Sequence, residues 1–351
     1  MSAEENETKS PPQEDAGETD SRVSVPPVSA PIEEPVASDA PTPRPPLANS
    51  RLLWLLTALP LLGVVELTAH IWQTHSVVPE DDWRAAKALV EKKGVSKNDL
   101  IVFAPDWADP LGREYFGNDL ASLEREGRAD ETSFVKAYEV SIRGKHRPEL
   151  AGWKKVGEEK VGAISVTTLE NPAPATVIDD LFTHMREGGM TVAHIDDHES
   201  PCPLVHTNAS SGGLWFGPAT PGDRFSCGAT SVGISVLHAL DHSARKCFFA
   251  PPDKANAILR IRFQDVAFGT VIHGHHGLQH EAERDKKGAP VTLTFRYGDR
   301  TLGKAVHLDG TGWFGFEIPT PELQGQKGEL TVDVSTTNAH RRHYCFQADT
   351  R

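Results

Sequence analysis

Residues Arg51–Trp72 read RLLWLLTALPLLGVVELTAHIW, and the organisation of the whole chain depends on how this run is taken. From Leu52 to Trp72 it holds 21 residues, enough at 1.5 Å per residue to cross a hydrocarbon core of about 30 Å. Trp54 and Trp72 stand near its ends, where amphipathic rings favour the headgroup zone. The run therefore predicts one transmembrane helix over 51–73. Glu66 and His70, four apart and so on one face, fall in its last third. There they can reach the interface, or contact a partner helix. Some fifty polar residues precede the run, which fits a signal-anchor better than a cleaved signal peptide.

Arg44 and Arg51 lie just before the helix, whereas Glu80, Asp81 and Asp82 precede the next basic residue, Arg84, after it. The positive-inside bias then places the N-terminus in the cytoplasm and the larger C-terminal part outside, in the periplasm or extracellular space. Residues 1–50 carry ten acidic and three basic residues and no aromatic one, so they hold about half of the formal charge of −13. Such a tail, rich in Pro and Glu, predicts disorder. The acidic balance excludes a basic nucleic-acid groove.

Beyond the anchor, Pro79–Gly94 carries Pro and acids at its start and bases and Gly at its end, which predicts a helix with Trp83, Ala86, Leu89 and Val90 on one face. Leu100–Ala104 predicts a buried strand. Helices near 131–142 and 176–187, and strands near 163–169 and 190–195, complete an expected small α/β layer over 79–200 with a largely parallel sheet. A Gly/Pro-rich connecting segment follows over 201–245. From 246 to 351 the period becomes two: Ile258–Phe263, Val291–Tyr297, Trp313–Ile318 and Leu330–Val334 alternate, which predicts an antiparallel β-sandwich. The fold class is thus α+β, with one transmembrane helix, an α/β layer and a sandwich.

DDWRAAKALVEKKGVSKNDLIVFAP, residues 81–105, resembles the aqueous segments of membrane-embedded glycosyltransferases that use lipid-linked sugars. The layout as a whole resembles bacterial single-pass envelope proteins from surface-glycan contexts. The strand and turn around residues 289–299, followed by a Trp-led strand, look like a galactose-binding-type jelly roll; the resemblance implies that architecture and a surface-glycan setting.

Asp106, Trp107, Asp109 and Arg113 follow the buried strand, where open α/β layers place their ligands. An aromatic ring beside acids and an arginine suits a sugar, and Trp313 is a second such ring. No cofactor is expected, but a divalent metal is a possibility at two imidazole clusters: His194 with His198, and His273, His275 and His276. All four cysteines follow the anchor. Two disulfides are expected, with Cys202–Cys227 and Cys247–Cys345 favoured among three pairings. Asn208 begins a glycosylation sequon. The leading expectation is a membrane-anchored envelope protein whose outward-facing ectodomain recognises a glycan or a protein partner. The alternatives are a hydrolytic or metal-assisted glycan-processing enzyme, or a structural accessory subunit of a membrane glycosyltransferase.

Overall fold

A computed structural model describes residues 50–75, 77–122, 127–207 and 222–351. The acidic tail to residue 49 and the sequon at Asn208 lie outside the described residues. The chain divides into two units, Met1–Ala69 and His70–Arg351.

Helix α1, Ser50–His75, covers the anchor stretch as one 26-residue helix. Its contiguous described side chains run from Ala58 to Ile71, and they are exposed on every side from Leu59 onward. Among the described residues no helix is long and apolar enough to cross a membrane.

The second unit opens on α2, Glu80–Lys93. Glu80, Asp81 and Asp82 oppose the helix dipole at its start, Lys92 and Lys93 do so at its end, and Gly94 closes it at φ 72°. Trp83, Ala86 and Val90 form its buried face. The Trp83 ring stacks on Tyr115 at 5.8 Å. Strand β1, Asp99–Ala104, is buried throughout. Its Ile101 and Phe103 pack towards α2 and α3 (Asp109–Phe116), while Leu100 and Val102 join a separate cluster with Leu150 and Leu169.

The expectation of a helix over 131–142 is corrected: Lys136–Ile142 is β2, parallel to β1. The helix-favouring Ala and Glu are overridden by pairing on both sides, because β2 lies between β1 and β4. The sheet is also not largely parallel. β3 (Lys154–Val161) and β4 (Ile164–Glu170) are antiparallel neighbours in the order β1-β2-β4-β3.

The sandwich draws on strands well upstream of residue 246. After β5 (Asp179–Asp180) and α4 (Leu181–Arg186), strand β6 (Met190–Ile195) joins the sandwich. So do β7 (Glu199–Pro201), β8 (Leu204–Thr207), β9 (Gly222–Cys227), β10 (Thr230–His238) and β11 (Ala244–Phe249). There follow β12 (Ile258–Ala267), β13 (Val271–Leu278), α5 (His280–Arg284), β14 (Val291–Tyr297) and β15 (Arg300–His307). The last are β16 (Phe314–Pro319), β17 (Lys327–Thr336) and β18 (Tyr344–Thr350).

One sheet has six strands, β15-β14-β17-β12-β6-β7. The other has eight, β16-β13-β18-β11-β10-β9-β8 with β5 also paired to β18. From β12 to β18 the chain changes sheet at every step except the β14–β15 hairpin, a crossing pattern like that of jelly rolls.

Alternation along each strand places one side of it in a shared core. Phe263, Phe295, Val332 and Ile261 from one sheet meet Phe248, Phe346 and Ile272 from the other. Phe248 sits at the centre, its ring 4.9–5.5 Å from those of Phe182, Phe263 and Phe346. Cys202 is bonded to Cys227, and Cys247 to Cys345, the pairing favoured from the sequence.

Candidate functional site

A parallel pair needs a crossover, and the one between β1 and β2 positions the site. It runs through α3 and then lays residues 127–135 across the outer face of the eight-stranded sheet. The Gly127 carbonyl accepts from the Lys246 amide, and the Ala129 carbonyl accepts from Trp313 Nε1 at 3.0 Å. The Arg128 carbonyl accepts from Arg245 at 3.2 Å, and Thr132 Oγ1 from Arg351 at 2.8 Å.

Two cavities flank this strap. The larger, about 620 Å³, is lined by Phe134, Thr176, Phe182, Lys246 and Arg351 among others. The smaller, about 380 Å³, lies between the end of β1 and the sandwich and is the more densely charged.

In the smaller cleft, carboxylates and guanidiniums alternate. Asp106 pairs with Arg147 at 2.7 Å, and Arg147 Nε also donates to Glu149 at 2.6 Å. Arg128 bonds Glu131 at 2.9 Å, and Arg245 bonds Asp241 at 3.1 Å. Trp313 and His275 stack at 6.0 Å, nearly parallel, and form the aromatic wall.

Two cleft carboxyls have displaced ionisation. Burial pushes Asp130 and Asp241 up, but in both the opposing contacts prevail: Thr132, Arg351 and His275 for Asp130, and Ser243 and Arg245 for Asp241. Both therefore lie below their ordinary value and are ionised at neutral pH. That is the wrong direction for a general acid.

The residues singled out from the sequence are distributed as follows. Asp106 and Trp313 meet in the cleft. Trp107, beside Asp106, is 61% exposed, with the Arg143 guanidinium 5.6 Å from its ring centre. Asp109 is turned inward, buried in α3 and bonded to Arg113 at 2.7 Å, and neither residue lines the cleft.

His194 bonds Asp253 at 3.0 Å, and His198, four residues on in the turn between β6 and β7, is exposed. His273 and His275 lie on the outer face of β13, and alternation sends His276 to the inner face. There His276 Nδ1 bonds the Tyr344 hydroxyl at 2.6 Å. Burial depresses its pKa to about 3, helped by His307 and His275. His275 is lowered to about 4, chiefly by burial against the opposing pull of Asp130.

Next to His276, the fully buried Glu283 gathers three donors. His307 Nε2 approaches Oε1 at 2.6 Å, the Leu278 amide donates to the same oxygen at 3.1 Å, and the Gly310 amide donates to Oε2 at 2.8 Å. This clamp fixes the turn that leads into Trp313.

Sequence reasoning missed Arg128, Asp130, Arg147, Asp241 and Arg245, which reach the cleft from three separate segments. Only the alternation of HGHH, residues 273–276, carried a usable signal, since it separates His276 from its neighbours.

No protein-family model and no curated protein sequence matches the chain. Among solved structures, the CBM51-2 and INT domains from Clostridium perfringens ZmpB, in complex with GlcNAc, are 10% identical, with a TM-score of 0.30. The match covers 56% of this chain and 40% of that one, so this chain spans well under half of its length. Tandem CBM51 modules of a family 98 glycoside hydrolase from Streptococcus pneumoniae are 12% identical at a TM-score of 0.27, over 56% and 57% of the two chains. TmCBM27, a carbohydrate-binding module described for mannan recognition, is 9% identical at 0.23, over 34% and 80%. Likenesses this distant carry neither ligand nor activity over to this chain.

Proposed function

We propose that the chain is a membrane-anchored glycan-recognition protein, with α1 as the anchor and the cleft between strap and sandwich as the binding site. The observation that carries the reading is the lining of the cleft. Guanidiniums and carboxylates alternate at hydrogen-bonding distance beside an aromatic wall, with Trp107 exposed near its rim.

Paired charges of both signs offer donors and acceptors in fixed directions, and five carboxylates against three guanidiniums in the lining disfavour an anionic ligand. A neutral polyol such as a sugar uses both, and it covers an aromatic face with its C–H groups. Asp106, Glu131, Glu149 and Asp241 are already engaged by arginines, which favours binding over hydrolysis.

Two further features support the setting. Leu59, Leu61, Leu62, Val64, Val65, Leu67 and Ile71 of α1 are all exposed, and apolar surface on this scale favours apolar surroundings. Two disulfides fit an oxidising compartment outside the cytoplasm.

The test is a glycan array probed with the full chain in detergent, followed by titration of any hit. Trp107→Ala and Asp106→Asn should each weaken a hit by about tenfold or more, some 1.4 kcal/mol, with the thermal midpoint unchanged. An empty array with folded protein, or binding indifferent to both changes, refutes the reading. Extraction of the chain by alkaline carbonate would remove the anchor.

A further inference from the structure

We infer that Asp130, His273 and His275 form a site for a borderline divalent transition-metal ion such as zinc, clasping the β1–β2 strap to the outer face of the eight-stranded sheet. His273 and His275, two apart on β13, project from the same face with ring centres 5.2 Å apart. Asp130 descends on them from the strap. Its Oδ2 lies 3.4 Å from His273 Nε2 and 3.9 Å from His275 Nδ1, and the three donor atoms all fall within 4.8 Å of one another.

An ion held at about 2.0–2.1 Å by two donors at a tetrahedral angle sets those donors about 3.4 Å apart. Of the three donor pairs, Asp130–His273 already has that spacing, Asp130–His275 needs to close by about half an ångström, and the two imidazole nitrogens lie within 4.8 Å of each other.

A second observation points the same way. Asp130 Oδ2 and the Nδ1 atoms of both His273 and His275 are buried without a hydrogen-bond partner. Buried polar atoms are normally satisfied, and two of these three are the proposed donor atoms. The other carboxylate oxygen, Oδ1, accepts from the Thr132 amide at 3.0 Å and from Thr132 Oγ1 at 2.7 Å. Such outer bonds hold a ligating carboxylate in place.

Arg351 Nη2, 3.7 Å from Oδ2, opposes a cation. It is anchored elsewhere, by Asp349 at 2.6 Å and Thr132 at 2.8 Å, so it keeps its partners when Oδ2 turns to an ion.

Two imidazoles and one carboxylate select zinc, cobalt or nickel over calcium and magnesium, which favour oxygen donors. Three protein ligands leave a fourth position for water, on the side where Asp130 and His275 border the cleft. His276, grouped with these residues by sequence, has no part in the site, nor do His194 and His198.

The test uses the full chain, stripped with EDTA and titrated with Co²⁺. One equivalent should bind, with the visible absorption of four- or five-coordinate cobalt, and Zn²⁺ should displace it. His273→Ala, His275→Ala and Asp130→Asn should each weaken binding at least tenfold, while His194→Ala/His198→Ala should leave it unchanged. Wild type without saturable one-to-one cobalt binding, or undiminished binding in the three single variants, overturns the inference.

Should those variants fail to fold, zinc-edge X-ray absorption on wild type decides. Imidazole scattering with nitrogen at about 2.0–2.1 Å is expected, and an oxygen-only shell overturns the site. Neither measurement involves a glycan, so failure here is distinguishable from failure of the proposed function.

Discussion

Replacing Glu283 by alanine tests the internal account of the sandwich most directly. The side chain is completely buried, and its two oxygens serve His307 Nε2, the Leu278 amide and the Gly310 amide. Alanine strands all three donors in a buried site. A buried donor without its acceptor costs about 1–3 kcal/mol, so the three sum to roughly 3–9 kcal/mol before relaxation. Some relaxation occurs as water enters the vacated volume, and a loss of about 3–5 kcal/mol is the expectation.

For a unit of this size, each kcal/mol moves the thermal midpoint by about 2–4 °C, which gives a fall of about 6–20 °C. Glu283→Gln keeps one carbonyl acceptor but turns an amide N–H towards a donor, so it should fall between wild type and alanine. Differential scanning calorimetry of the full chain in detergent, at neutral pH under oxidising conditions, reads all three. A midpoint within about 2 °C of wild type for Glu283→Ala would refute the reasoning, since it would mean the carboxylate is not the acceptor described. The clamp also holds the turn before Trp313, so folded Glu283→Gln should bind a cleft ligand more weakly.

Gly112→Ala would bring a Cβ within 2.2–2.5 Å of the Phe103 ring, forcing α3 away from β1; a loss of about 1–3 kcal/mol in urea titration is expected. Phe248→Ala removes the ring at the centre of the sandwich and should cost about 3–5 kcal/mol in the same assay. Reducing the disulfides releases loops of sequence separation 25 and 98, worth about 3.5 and 4.7 kcal/mol in the chain-entropy account, so the thermal midpoint should fall clearly in excess thiol. Burial and the neighbouring Asp349 raise the Asp180 pKa against the pull of the Phe182 amide, so its folded-state value exceeds the unfolded one. Its contribution is fully present below the unfolded carboxyl range and is lost as pH rises through the folded value. Asp180→Asn, which keeps the cap on Phe182, should remove that decline from a stability–pH profile, and an unchanged profile would count against it.

What was legible in the sequence follows from where the forces are local. Helix α2 carries its own start and stop signals in Pro79, its acids, its lysines and Gly94. Strands β12, β14 and β17 announce themselves because one face meets the core and the other meets solvent or polar neighbours. β2 was misread because its pattern reflects burial on both faces, which obeys no simple period, and its Ala and Glu favour helix when taken alone. β6 was placed in the wrong layer, since a strand with Met190, Val192 and Ala193 buried says nothing about which sheet it joins. The cleft was only half legible. Asp106 and Trp313 could be picked out as chemically suited residues, but they are brought together by a crossover segment whose path is fixed by backbone contacts to Lys246, Trp313 and Arg245. No spacing rule encodes such a path.

Strand β18 lies between β13 and β11 in the middle of the eight-stranded sheet, and it also pairs with β5, about 170 residues earlier in the chain. Until residues 344–350 leave the ribosome, β16–β13 and β11–β8 have no strand to join them, and Cys247 has no partner. The sandwich is therefore assembled after, not during, emergence of its other strands, and the nascent chain waits with Phe248, Phe263 and Phe295 still uncovered. Arrested chains ending before residue 344 should therefore remain open to protease throughout the sandwich.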